Sequence, residues 1–184
     1  LDYLTLETKD WKVKDQYFMN AMYQLFDWSG LATGNPWQHK IQFHQQYVEM
    51  DDFDTDTWHR ITYNFNIDQE LSNEQKASLK LVAERPDIWT VSINGNKLNA
   101  IPDAWWLDRH FPVYALGDYV KNGKNTIELY AEKMSVFAEV MPVYILGDFS
   151  VEAIKKGFQI IAPKQELSSN WLANGWHFYS GQVV

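Results

Sequence analysis

Apolar and polar residues alternate along much of this chain in short runs. In the clearest run, Ile61, Tyr63, Phe65 and Ile67 alternate with threonine and asparagine. Because successive side chains of a strand point to opposite faces of a sheet, this pattern predicts a strand with one apolar and one polar face. Shorter runs of similar character predict further strands at residues 1–7, 41–48, 79–83, 89–93, 127–130, 143–146, 158–161 and 178–183.

Turn signals separate these runs, and one segment departs from the alternation. Asn94 and Gly95 follow a strand-like run and predict a tight hairpin, because both central residues of a type I′ turn need positive φ. Over residues 16–28 the apolar side chains recur at helical spacing, with Asp15 as the N-cap. A short helical turn is also predicted at 115–120.

Many short strands with one helical insertion near residues 16–28 predict an all-β fold. The expected architecture is an antiparallel β-sandwich of the jelly-roll type. With 184 residues the chain fits one domain, residues 1–184. It begins without Met and stops inside an alternating run, so we expect it to be excised from a longer multidomain chain.

Charge and composition argue against several classes of binding partner. The formal net charge is −8 and the 16 basic residues are scattered singly, which argues against nucleic acid, since that binding requires clustered Lys and Arg against phosphates. No apolar run has the length of a membrane span. The chain has no cysteine, so it forms neither disulfides nor thiolate metal sites.

Metal-ligand patterns are weak. His39 and His44 are spaced for neither a helix face nor a strand face, and the other histidines are isolated. The acidic run at 51–56 either supplies oxygen ligands for calcium or forms a solvated loop, and it lacks the spacing and central glycine of an EF-hand. We predict no metal residues and no cofactor.

Carboxylates are numerous without forming a recognisable catalytic pattern. Glycoside hydrolysis needs two carboxyl groups about 5 to 10 Å apart. Asp103 and Asp108 flank two tryptophans, and Glu84, Glu132 and Glu139 fall at strand ends, where solvated turn carboxylates are the more ordinary interpretation. No catalytic residue is predicted.

The densest polar and aromatic stretch is Asp-Ala-Trp-Trp-Leu-Asp-Arg-His-Phe, residues 103–111. Sugars stack their C–H faces on Trp and bond their hydroxyls to carboxylates, amides and guanidinium groups. Adjacent strand residues point to opposite faces, so one Trp is expected in the core and the other on a surface that touches sugar or a neighbouring domain. The candidate ligand residues are Trp105, Trp106, Asp108 and Arg109, with Trp89 and Trp37 as neighbours.

The order of several motifs resembles a known family. A strand ending in Asn94-Gly95 is followed by an aromatic stretch and by Gly123-Lys-Asn125-Thr-Ile, which is similar to the galactose-binding-like jelly roll of family 2 glycoside hydrolases. Here Asn125 is expected to tie the backbone of the corner through its side-chain amide. Segments 34–37, 139–151 and 175–181 extend the resemblance to the carboxy-terminal β-sandwich of bacterial α-L-rhamnosidase-type proteins. Met141 and His177 depart from the expected acidic residue and proline.

The resemblance implies a non-catalytic, carbohydrate-binding-like accessory module of a glycan-degrading enzyme. Its partners would be carbohydrate and the catalytic domain of the parent chain, and the parent would be secreted, periplasmic or at the cell surface of a bacterium. Two alternatives remain open at this point. The chain is a purely structural β-sandwich that packs against the catalytic domain, or it is itself a hydrolase.

Overall fold

The computed structural model describes residues 1–31, 51–68, 71–164, 171 and 177. These residues form two mainly antiparallel sheets packed as a β-sandwich, which confirms the all-β prediction. The strands are β1 (Tyr3–Thr8), β2 (Lys12–Tyr17), β3 (His59–Ile67), β4 (Lys80–Val82), β5 (Thr90–Ile93), β6 (Asn96–Lys97), β7 (Ala100–Trp106), β8 (Asp108–Ala115), β9 (Gly123–Ala131), β10 (Tyr144–Leu146), β11 (Ser150–Ala153) and β12 (Phe158–Ile161). The helices are α1 (Phe18–Trp28) and α2 (Asn73–Ser78), with a 3-10 turn at Thr55–Thr57.

The larger sheet is built around β3. Its strand order is β11-β12-β3-β9-β5-β6, and β1 pairs with both β3 and β2. The smaller sheet has the order β10-β4-β8-β7, which makes the β7–β8 hairpin one of its edges. All pairs are antiparallel except β12 with β3, which meet in parallel at Ile160 and Ile67.

The core lies between the two sheets and follows the predicted alternation. Tyr63 on β3 and Ile127 on β9 are paired neighbours and are fully buried. The smaller sheet contributes Leu81 and Tyr114, which are also paired and buried. Burying an apolar side chain of this size contributes about 1.5 to 3 kcal/mol relative to leaving it in water, so this alternation fixes which face of each strand is inward.

The helical insertion is present but begins later than predicted. α1 starts at Phe18 with Tyr17 as its N-cap residue, which makes no side-chain cap. Asp15, the predicted N-cap, instead lies in β2 with a φ of 56° and forms an ion pair with Lys156. The extended strand therefore continues through the residues that had been assigned to the first turn of the helix.

The short helical turn predicted at 115–120 is present, since the backbone N–H groups of Tyr119 and Val120 both donate to the Leu116 carbonyl oxygen. α2 is an additional helix, closed at its start by a capping box in which the side chains of Ser72 and Gln75 each bond the other's backbone. The strands predicted at 41–48 and 178–183 lie outside the described residues.

The Asn94-Gly95 hairpin is confirmed. Ile93 pairs with Asn96, and the two residues between them have φ values of 50° and 84°, as a type I′ turn requires. We expect Gly95→Ala to lower the free energy of unfolding by about 1 to 2 kcal/mol, because an L-residue is disfavoured at this φ although no atom obstructs a Cβ there. Urea denaturation measures this. An unchanged midpoint would show that the turn adopts another conformation without cost.

The corner before β9 has the predicted asparagine tie. Asn125 is fully buried, and its Oδ1 accepts hydrogen bonds from the Lys121 backbone N–H at 2.9 Å and from Asn94 Nδ2 at 2.9 Å. Its Nδ2 donates to the carbonyl oxygens of Lys121 at 2.7 Å and Gly123 at 3.0 Å. The amide thus holds the corner and links it to the Asn94 turn.

Candidate functional site

The candidate residues 105–109 lie at the end of the β7–β8 hairpin. Trp106 pairs with Asp108, leaving Leu107 as the connecting residue at a φ of 66°. The register shifts on either side of Trp105, and Asp103 also has a positive φ of 56°. These irregularities bend the end of the hairpin, as β-bulges do, and change the directions of its side chains relative to a flat strand.

The two tryptophans have different environments. The side chain of Trp105 is 53% exposed. The Trp106 ring is half buried and lies on the ring of Tyr144, with centroids 5.0 Å apart. Two strands lie between β7 and β10 in the smaller sheet, so these strands are three spacings of about 4.8 Å, or about 14 Å, apart. The contact between Trp106 and Tyr144 therefore requires the end of the hairpin to fold over the smaller sheet.

The prediction that one of these tryptophans fills the core is wrong. Neither Trp105 nor Trp106 belongs to the buried core, because both lie near the end of a bent edge hairpin. Trp89 is the tryptophan that does: it is 6% exposed and meets the edge of the His59 ring at 5.1 Å. Its ring is closed to a surface ligand, so we remove it from the candidate set. Trp37 lies outside the described residues.

Asp108 and Arg109 diverge, as expected for neighbours in a strand. The Asp108 carboxylate accepts bonds from the His110 backbone N–H at 2.8 Å and from its Nδ1 at 2.9 Å, and these bonds lower the pKa of Asp108. Arg109 is exposed, and its guanidinium makes no hydrogen bond or ion pair with the described residues. The five N–H donors of the Arg109 guanidinium are therefore available on the same hairpin end as the exposed Trp105 ring.

A carboxyl pair that sequence reasoning had left unconnected lies beside this hairpin. Glu84 follows β4, and Glu139 lies in the segment before β10. Together with Arg85 and Phe137 they line a pocket of about 260 Å³. Burial raises the pKa of both carboxyl groups, and the charge of Glu84 raises that of Glu139 further. Glu84 also experiences the charges of Asp108 and His110, which places the pocket next to the hairpin end.

Arg85 is held in place within this pocket. Its Nε and Nη2 donate to the two carboxylate oxygens of Asp87 at 2.9 and 2.7 Å, and its guanidinium lies 5.3 Å from the Phe137 ring centroid. The charge of Arg85 opposes the effect of burial, because it lowers the pKa of both glutamates. The pocket thus presents two carboxyl groups and a guanidinium, which are hydrogen-bonding groups suited to hydroxyls.

Nothing in the sequence pattern signals this pair. The two glutamates belong to different segments, and only the packing of the loop before β10 against the end of β4 brings them together. The sequence predicted both glutamates at strand ends; in the structure Glu84 lies two residues after β4, whereas Glu139 lies in the irregular segment between β9 and β10.

The acidic run at 51–56 has ordinary structural partners. Asp51 accepts hydrogen bonds from the Val136 backbone N–H at 3.0 Å and from the Ser135 hydroxyl at 3.1 Å, and Asp56 pairs with Lys9 at 2.6 Å. Within the described residues no three Asp, Glu, His or Cys side chains are grouped so that they could hold a metal ion.

Comparison with protein-family models, with curated proteins and with solved structures found no match to this chain. Among the described helices, none combines the length and the apolar character that crossing a bilayer requires.

Proposed function

We propose that this chain is a non-catalytic carbohydrate-binding module that accompanies a glycan-degrading catalytic domain. The observation that carries the proposal is the end of the β7–β8 hairpin, which holds the half-exposed Trp105 ring and the exposed guanidinium of Arg109, a group without a partner among the described residues. The resemblance of the Asn94-to-Asn125 motif order to sugar-binding jelly rolls supports it.

The chemistry of this surface suits a sugar. The face of an indole ring packs against the C–H face of a pyranose, and burying that face removes apolar area from water at about 25 cal/mol per Å². Arg109 supplies planar N–H donors for ring hydroxyls, and the carboxyl groups of Glu84 and Glu139 supply further hydrogen-bonding oxygens in the pocket beside the hairpin.

We expect Trp105→Ala to lower affinity for a bound oligosaccharide at least tenfold, which corresponds to about 1.4 kcal/mol. Calorimetric titration with rhamnose-, galactose- and uronic-acid-containing oligosaccharides measures it. Trp11→Ala is the matched control, because Trp11 is 57% exposed but lies at the β1–β2 turn. Equal losses in both variants would argue against the hairpin as the sugar contact.

The same titration tests whether the module is non-catalytic. Chromatography of the oligosaccharide after incubation should show it intact. Release of shorter sugars that stops in a Glu84→Gln variant would overturn the proposal and would identify Glu84 and Glu139 as a hydrolytic pair.

A purely structural role is the second candidate, and one observation favours it. Leu107, at the tip of the hairpin beside Trp105, is 76% exposed. An apolar tip of this kind suits packing against another protein domain. If the folded chain gives flat titrations with all three classes of oligosaccharide, the structural role is the better explanation of this surface.

A further inference from the structure

The larger sheet has an opening beside β3. β1 pairs with β3 as far as Tyr63, and β12 pairs with the same edge of β3 only at Ile67. Residues 64–66 therefore have β9 on one side and, in the part of the chain that the structure describes, no strand on the other. Through this opening the space between the two sheets is accessible.

A groove of about 960 Å³ lies at this opening. We call it the intersheet groove, because β1, β3 and β12 of the larger sheet line one side and β10 of the smaller sheet lines the other. Small-molecule sites commonly enclose about 300 to 1,000 Å³, so the groove has room for a ligand of that class.

The walls of the groove are apolar. They include the side chains Leu4, Phe65, Ile145, Leu146, Phe149 and Ile160. Aromatic rings extend this surface to the mouth, where Tyr3 is about half exposed. Leu4, Phe65 and Ile160 form a nearly buried floor, whereas Ile145, Leu146 and Phe149 are partly exposed. A ligand with an apolar body would cover this partly exposed surface and gain about 25 cal/mol per Å² of apolar area.

The mouth carries polar groups whose charges cancel. Lys156 is paired with the Asp15 carboxylate at 2.9 Å and lies 4.7 Å from the Tyr3 ring centroid, so its charge is already compensated. The other charged side chains that line the groove are one cation, Lys124, and one anion, Asp2. The amino group of Leu1 also lies there, but it donates to the Val143 carbonyl oxygen at 2.6 Å and burial lowers its pKa. The charged side chains of the mouth therefore give a charged head group no net attraction.

Neutral hydrogen-bonding groups dominate what remains of the mouth. Asn64 and Asn66 lie in the unpaired part of β3, and Gln159 lies on β12. The Asn64 Oδ1 accepts from the Thr126 hydroxyl at 3.1 Å and the Gln159 Nε2 donates to Glu152 at 2.9 Å, which leaves the Asn64 donors and the Gln159 oxygen for a ligand. An amide presents one acceptor oxygen and two donor hydrogens, which is the pairing that hydroxyl groups use. The mouth is therefore suited to an uncharged, hydroxyl-rich head group.

We propose that the intersheet groove binds a neutral amphiphile, a hydroxylated uncharged head group attached to an apolar chain or ring, as in an alkyl glycoside. The apolar part lies between the sheets, and the head group contacts the amides at the mouth. Because the groove and the β7–β8 hairpin end are formed by different residues, this site stands whether or not Trp105 binds sugar.

The test is calorimetric titration of the folded chain with octyl glucoside below its micelle-forming concentration. Glucose, octyl sulfate and octyltrimethylammonium are titrated in parallel. We expect octyl glucoside to bind at least tenfold more tightly than each of the other three, with a negative heat-capacity change from apolar burial. No binding of octyl glucoside, or equal binding of either charged amphiphile, would overturn the proposal.

Two variants localise the site. Val151→Trp adds bulk to a partly buried wall, and Ile154→Asp places a charge at the exposed lip, where folding is little affected. Each should lower the affinity for octyl glucoside at least tenfold, whereas Trp11→Ala, at an exposed residue outside the groove lining, should leave it unchanged. Wild-type affinity in both folded groove variants would place the binding elsewhere and refute the assignment.

Discussion

Replacing Asn125 by alanine is expected to lower the free energy of unfolding by about 3 to 5 kcal/mol. The side chain is fully buried and makes four hydrogen bonds, three of them to backbone groups of Lys121 and Gly123. Alanine leaves those groups without partners, and a buried polar group that loses its partner costs about 1 to 3 kcal/mol. Equilibrium denaturation in urea measures the loss.

The matched control is Asn96→Ala in the neighbouring hairpin. Asn96 is exposed, and its side chain makes only long contacts of 3.4 Å, so its removal should change stability by less than about 0.5 kcal/mol. Asn125→Asp should cost at least as much as Asn125→Ala at pH 7, because a buried carboxylate oxygen would then face the carbonyl oxygens of Lys121 and Gly123. If Asn125→Ala costs less than about 1 kcal/mol, water replaces the lost hydrogen bonds to Lys121 and Gly123, and the Asn125 side chain is not needed for stability.

Acidification from pH 7 to pH 4 is expected to remove about 3 kcal/mol of stability through His59 alone. The His59 ring is fully buried against Trp89, its Nε2 has no partner in the described structure, and burial lowers its pKa from 6.5 to about 4. Below pH 6.5 the unfolded chain gains a proton at this residue that the folded chain does not accept. Stability is therefore full above pH 6.5 and is lost as the pH falls towards 4.

The carboxyl groups of Glu84 and Glu139 change the stability in the opposite direction as the pH falls. Burial raises the pKa of Glu84 and Glu139, so the folded chain takes up protons more readily there and gains stability as the pH falls through their raised pKa values. Both groups are only half buried, so this contribution is smaller than that of His59.

Urea denaturation at several pH values separates these effects. His59→Gln should flatten the loss between pH 7 and pH 4, whereas the control His110→Gln should not, because the His110 side chain is 72% exposed. A wild-type protein equally stable at pH 7 and pH 4 would show that His59 gains a proton without unfolding.

The sequence predicted the strands whose two faces differ in polarity. β3 and β9 alternate cleanly because one face of each meets the core. The β7–β8 hairpin was not predicted because its outer half is exposed on both faces, so burial imposes no alternation there. Position 15 was misassigned because residues 12–17 pair with β1 as β2, and pairing with another strand can override local helical spacing.

The candidate site was predictable only in part. Trp105 and Arg109 were chosen by residue type, and both are exposed in the structure, so their contact with a ligand stays a prediction. Glu84 and Glu139 were recognised only as strand-end carboxylates, since their meeting depends on how two remote segments pack. Trp89 was predicted to lie near a ligand but belongs to the core. A tryptophan beside polar residues in the sequence is still a core residue when its side chain, next to β5, points inward.

The position of β3 at the centre of the larger sheet also governs how the chain folds. Its partners β1, β9 and β12 are all remote in sequence, so their pairing must follow the closure of long loops. Proteins dominated by such non-local pairings fold in milliseconds to seconds, whereas a local hairpin such as β5–β6 closes in about 1 to 10 µs. We therefore expect the local hairpins to form before β3 pairs with its partners. Until β3 pairs, the apolar faces of both sheets are exposed and can associate with other chains.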